Sequence, residues 1–267
     1  MLDKSLVIAM IGDVVGDPGI AMAEQYFGDL RNELSLDAII VNGENSAHNG
    51  KGVSEKSAER LFAAGADVIT TGNHVWAQKD VVPFMQSATK VLRPSNFPVG
   101  VPGVGVATVN VGAYAIGVIN VQGRVFMREL LDCPFRSVDK AIASFQGRVH
   151  AIFVDFHAET TAEKAAMAHY LDGRVSAVVG THTHVQTADE RVLPKGTAFI
   201  TDLGMGGALN SSLGMKKEPI ITNFLTSMPI KFEIDKERPY VLSGAVIYVD
   251  PSTGKATDIQ RIRIIEE

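Results

Sequence analysis

Five short apolar runs in this chain each break off at a polar cluster, and this alternation constrains the fold more than any other feature. Leu6 to Ile11 ends on Gly12-Asp13, Ala38 to Val41 on Asn42-Gly43-Glu44-Asn45, and Asp67 to Thr70 leads to Gly72-Asn73-His74. His150 to Asp155 runs into Phe156-His157-Ala158-Glu159, and Val175 to Val179 into Gly180-Thr181-His182-Thr183-His184. Runs of this length, rich in β-branched residues, suit buried strands. Helical patterns lie between them. Ile20, Ala23, Phe27, Leu30 and Leu34 recur at helical spacing behind a start at Asp17-Pro18-Gly19, and Ser54 caps a stretch to about Ala64. Further helices are predicted near Ser137 to Phe145 and from Thr161 to about Leu171. Val104 to Asn110 and Tyr114 to Val121 read as a hairpin turning at Gly112-Ala113. Strand and helix in alternation predict a layered α/β fold. From Thr197 onward the pattern becomes strands and loops, with a Gly-rich stretch from Gly204 to Gly214 and a closing hairpin at Pro251 to Gly254. No Ser- or Pro-rich linker intervenes, so residues 1–267 are expected to form one domain.

In open α/β sheets, sites assemble just beyond the carboxyl ends of the strands. Asp13, Glu44, Asn45, Asn73, His157, His182 and His184 would therefore converge although they are far apart in sequence. Oxygen and imidazole donors without thiolate match manganese, iron or zinc, and argue against a structural zinc site. The set is too large for one ion. It suits two ions sharing a bridging carboxylate, the kind of pair that clamps the attacking and leaving oxygens of an in-line displacement. Only Asp13 and Glu44 are anionic, so two divalent ions would leave a cation-like hole for which a phosphate ester is the natural guest. Any one cluster alone is more simply a turn, a cap or a buried hydrogen-bonded residue, and Thr-His-Thr-His by itself also fits an amidohydrolase. Five clusters at strand ends in one chain are poorly explained that way.

Composition narrows the partners. Thirty acidic residues against 25 basic ones, a net charge of -5, give no footprint for gripping duplex nucleic acid. No apolar run is long enough to span a membrane, and the lone Cys133 cannot form an internal disulfide, so a soluble, cytoplasmic protein is expected. His48, His150 and His169 match no motif and read as structural or exposed, and Lys216-Lys217 reads as solvated surface.

Ile11-Gly-Asp-Val-Val-Gly-Asp-Pro-Gly19, Asn42-Gly-Glu-Asn-Ser46, Thr71-Gly-Asn-His74, Asp155-Phe-His-Ala-Glu-Thr160 and Gly180-Thr-His-Thr-His-Val185 resemble the YmdB-like branch of the calcineurin-like metallophosphoesterase superfamily. The resemblance covers nearly the whole chain. Val15 stands where the wider superfamily has a ligand His, and Glu44 where an Asp bridges, both as in this branch. Gly204 to Asn210 departs from the branch's usual run. The resemblance implies a four-layer α/β/β/α sandwich with two mixed β-sheets. It implies a first ion held by Asp13, Glu44, Asn45 and His184, and a second held by Glu44, Asn73, His157 and His182, iron or manganese being the expected occupants and zinc an alternative. The expected reaction is hydrolysis of a small phosphodiester, above all a 2′,3′-cyclic nucleotide, by a bridging hydroxide. His74, next to a ligand but free of metal, is the expected general acid. Arg124 and Phe126 are candidate substrate contacts, one for phosphate and one for stacking on a base. The alternatives are a phosphomonoesterase or protein phosphatase using the same site, and a metal-dependent nucleotide-binding regulator without turnover. No membrane or duplex partner is expected, and a homo-oligomer is left open.

Overall fold

The computed structural model describes residues 5–266. In chain order the first half holds β1 (Leu6–Ile11), β2 (Asp13–Val14), α1 (Gly16–Glu33), β3 (Ala38–Asn42), α2 (Glu55–Ala64), β4 (Val68–Thr70), α3 (Val81–Ser87), β5 (Val106–Val111) and β6 (Tyr114–Gln122). There follow α4 (Pro134–Phe145), β7 (Ala151–His157), α5 (Thr161–Leu171), β8 (Ala177–Thr181), β9 (Arg191–Val192) and β10 (Ala198–Ile200). The chain closes with β11 (Met205–Ala208), α6 (Lys217–Thr226), β12 (Tyr240–Asp250) and β13 (Lys255–Ile265). One mixed sheet has the order β2-β11-β12-β1-β3-β4, with β13 paired to β12; the other runs β5-β6-β7-β8-β10-β9.

The layers follow from strands that are apolar on both faces. Leu6, Ile8 and Met10 of β1 face Val118, Phe153 and Val179 of the other sheet in a shared inter-sheet core. Val7, Ala9 and Ile11 point the opposite way, into a cluster with Ile20, Phe27 and Leu61 of α1 and α2. On the far side Val154, Phe156 and Val178 pack with Val138 of α4 and Met167 of α5. Helices, sheet, sheet and helices make the four-layer α/β/β/α sandwich with two mixed β-sheets that the motifs implied.

Ser54 caps α2, its side chain accepting from Ser57 N at 3.1 Å, and Thr160 caps α5 by accepting from Glu163 N. α3 and α6 are absent from the sequence reading. In α6 the β-branched run Ile220-Ile221-Thr222 mimics a strand, and the helix has no buried residue whose periodicity could reveal it. Parallel pairing sets the register that matters. β1 lies beside β3 and β3 beside β4, with Asn42 opposite Thr70, while His157 of β7 lies opposite Gln122 and Thr181. The carboxyl ends of both sheets thus finish at one edge of the sandwich. No helix among the described residues is long and apolar enough to cross a membrane.

Candidate metal centre

Each polar cluster is placed by the strand it terminates. Asp13 leaves β1 into β2, where its N–H donates to Gly204 O at 3.0 Å and β11 runs alongside in parallel register. The Gly-rich stretch that opens at Gly204 is therefore the shelf on which Asp13 rests. The Asn42 side-chain oxygen accepts from Glu44 N at 3.0 Å and folds that loop back over the sheet edge. Gly72 has no side chain because a Cβ there would collide with the His157 ring and the Glu44 carboxylate. His182 and His184 both lie in the left-handed backbone region, with φ of 100° and 64°. For residues with side chains this costs about 1–3 kcal/mol each and persists only under external restraint. The restraints are visible: His182 N–H donates to Asp13 Oδ2 at 3.0 Å, and Thr183 N–H donates to Asp202 Oδ2 at 3.2 Å.

Two donor sets result, and Glu44 belongs to the first. In one, His157 Nε2 lies 3.2 Å from Glu44 Oε1, 3.1 Å from Asn73 Oδ1 and 3.1 Å from His182 Nδ1. In the other, His184 Nε2 lies 3.2 Å from Asn45 Oδ1 and 3.9 Å from Asp13 Oδ1. The remaining ring nitrogens are taken up behind the site, which fixes which nitrogen faces inward. His157 Nδ1 meets Thr181 Oγ1 at 2.9 Å, and that hydroxyl donates to Asp155 Oδ1 at 2.7 Å. His182 Nε2 meets Glu159 Oε2 at 3.1 Å, and His184 Nδ1 meets Leu213 O at 3.0 Å. Asn45 Nδ2 donates to Gly50 O at 2.9 Å, so its oxygen is the atom presented to the site.

The chemistry of these residues fits cations. Asp13 Oδ1 is fully buried with no hydrogen-bond partner, an arrangement that costs free energy unless something positive occupies its lone pairs. Electrostatics tells the same story. Burial pushes the Asp13 carboxyl up to about 6. Burial would also raise Glu44, but the His157 and His74 rings outweigh it and hold its carboxyl well below the usual range. For His157, burial is outweighed by the charge of Glu44 and Asp13, which raises it to about 9. Burial and the neighbouring His157 drive His182 down to about 3. Buried carboxylates thus draw on the imidazolium charge of His157 where divalent ions would satisfy them all. The mixed oxygen and imidazole donor set is the chemistry that holds divalent metal ions.

His74 lies beside both sets. Its Nδ1 is 3.1 Å from Glu44 Oε1, and the residue lines a cavity of 340 Å³ together with Glu44, Asn45, His182 and His184. Arg124 and Phe126 are not among the residues lining this cavity; they lie in the exposed loop after β6, where Arg124 N–H donates to Glu163 Oε1 at 3.0 Å. Sequence reasoning missed Lys164, which is 1% exposed and donates to Asp202 Oδ2 at 2.6 Å. It also assigned no part to Thr181, Asp155 or Glu159, although all three lie inside the quoted motifs.

The comparisons with known proteins point one way. A family profile described as YmdB-like protein matches residues 9–262. A Bacillus subtilis (strain 168) protein named 2′,3′-cyclic-nucleotide 2′-phosphodiesterase is 49% identical over 260 residues, 97% of each chain. Two solved structures superpose closely. A Mycoplasma pneumoniae protein described as a novel phosphatase has a TM-score of 0.92 and 35% identity, covering 100% of this chain and 95% of that one. A hypothetical protein from Thermus thermophilus has a TM-score of 0.91 and 38% identity, covering 98% of this chain and 100% of that one. The two donor sets, the five motifs that build them and these full-length likenesses agree: the chain belongs to the YmdB-like family of calcineurin-like metallophosphoesterases.

Proposed function

We propose that the protein is a dinuclear phosphodiesterase that hydrolyses 2′,3′-cyclic nucleotides. The observation that carries this reading is the junction at Glu44, whose carboxylate touches the His157 set and His74 at once, beside a cavity large enough for a nucleotide. The activity named for the Bacillus subtilis relative supports the substrate class. Asp13, Glu44, Asn45 and His184 would hold one ion and Glu44, Asn73, His157 and His182 the other, with iron or manganese the best match to these donors. When bound, the ions supply Lewis acidity toward the phosphoryl oxygens and activation of a water.

The chain's own groups do the rest. Glu44 orients His74 by accepting from its Nδ1 and its backbone N–H, leaving Nε2 for the cavity. In the hydrolysis a water oxygen forms a bond to phosphorus, the bond from phosphorus to the 2′-oxygen breaks, and His74 Nε2 delivers a proton to that oxygen. The water's proton passes to solvent. Glu159, Thr181 and the Leu213 carbonyl keep the three ring ligands aligned, which holds the reaction geometry fixed.

His74→Ala is expected to keep its metal content and to lose roughly 10²- to 10⁴-fold in kcat on 2′,3′-cyclic AMP. Bis(4-nitrophenyl) phosphate, whose leaving group needs no proton, should be nearly unaffected. Equal loss on both substrates removes the general-acid role. Faster turnover of a phosphomonoester than of the cyclic nucleotide by the unaltered protein would replace the reading with a phosphatase.

A further inference from the structure

The cavity that holds the donor atoms has a second wall of opposite chemistry. Leu213, Met215, Ile220, Phe224 and Phe232 line it facing Glu44, His74, His182 and His184. Ile220, Asn223 and Phe224 are one face of α6, spaced i, i+3 and i+4. Phe224 is 83% exposed, an aromatic ring that buries little of its surface against the described residues. The flap carrying it is nonetheless anchored: Asp235 N–H donates to Gly214 O at 2.9 Å and Lys216 N–H to Glu233 O at 2.9 Å. Its root touches the metal centre directly, since Leu213 O is the partner of His184 Nδ1 at 3.0 Å. An exposed ring held in place across from a phosphate site is placed to take the far end of a phosphate-bearing ligand.

We infer that the α6 flap is the nucleobase-binding wall of the site, with Phe224 stacking on the base of a bound cyclic nucleotide. This rests on the phosphodiesterase reading above. The wall carries few groups that could read base edges. Asn223, the one amide on its helical face, already donates its Nδ2 to Met228 O at 2.6 Å, which leaves its Oδ1 as the one acceptor on that face of the helix. Recognition is by stacking, which every base supports. The enzyme therefore requires a base and accepts any base, purines ahead of pyrimidines in proportion to their area.

The test compares 2′,3′-cyclic AMP with glycerol 1,2-cyclic phosphate, which has the reacting ring and no base. In Phe224→Ala, KM for the nucleotide should rise roughly 5- to 150-fold with little change in kcat, while KM for the glycerol ester moves far less; Phe224→Tyr should restore the nucleotide value. The exposure of Phe224 keeps folding out of the comparison. A KM unchanged for the nucleotide, or raised equally for both esters, overturns the inference. So does a shift in molar mass by light scattering without a change in KM, which would assign the ring to contact with a second copy. Calorimetric binding of 3′-AMP to both proteins separates the two readings. If neither ester is hydrolysed the phosphodiesterase fails, yet 3′-AMP binding weakened by Phe224→Ala still supports the base wall, and binding left unchanged overturns it.

Discussion

His157 has both ring nitrogens committed, Nδ1 to Thr181 and Nε2 toward Glu44, Asn73 and His182. Held up to about 9 by the Glu44 charge against its burial, it keeps a proton at neutral pH until a cation displaces it. Its folded value lies above the ordinary 6.5, so in the metal-free chain it contributes stability that is complete below pH 6.5 and is lost as pH rises through 9. Metal binding has the opposite slope, because ligands must shed protons to bind. The apparent affinity for Mn²⁺ should therefore rise from about pH 6 to 9, with proton release near pH ~7.5, measured by calorimetry in buffers of different ionisation enthalpy. An affinity flat across that range would contradict this charge balance. The inner donors were legible as residue types because Asp, Asn and His seldom punctuate apolar strands together. The layer behind them was not: Thr181 reads as an ordinary β-strand threonine, and Glu159 as one more surface acid.

At the level of elements, α5, β8 and the loop after β10 form a clamp on the two strained histidines. Lys164 reaches from α5 past Gly180 to Asp202, and Asp202 accepts from Thr183 between His182 and His184 and from Gly204 beside Asp13. Lys164→Met leaves the Asp202 carboxylate buried without its cation, a change that costs about 3–5 kcal/mol when a buried pair is broken. Urea denaturation should show that loss, and a change below about 1 kcal/mol would mean the pair is not a clamp. No pattern in Thr161 to Leu171 marks Lys164 as internal, since a lysine on an amphipathic helix is by default on its solvent face. The opposite failure occurs in α6. Its Ile221, Phe224 and Leu225 are exposed, as is Met228 just beyond it, so the rule that apolar periodicity marks a buried face has nothing to detect. Ser54, whose cap is local in sequence, was readable without the fold.

The whole molecule brings two sheets to one edge, and Asp155 is where they are tied. From β7 it accepts Asn42 Nδ2 at 2.9 Å and Thr70 Oγ1 at 2.5 Å across the sandwich, and Thr181 Oγ1 at 2.7 Å within its own sheet. The layered class and the convergence at strand ends were legible because alternation of apolar runs and helices leaves few topologies. Which sheet each strand joins was not, since that depends on contacts between residues 113 apart, as for Asn42 and Asp155. A chain with a net charge of -5 thus concentrates its capacity for cations, and through them for phosphate, in one buried spot. We propose that this spot holds two ions that Glu44 shares. The direct measurement is elemental analysis of protein purified without oxygen, with turnover of 2′,3′-cyclic AMP assayed on that same sample. The expected result is two transition-metal ions per chain together with hydrolysis, both lost in Glu44→Gln. Protein that turns over the cyclic nucleotide with no bound metal, or Glu44→Gln that keeps both ions and full activity, would contradict it.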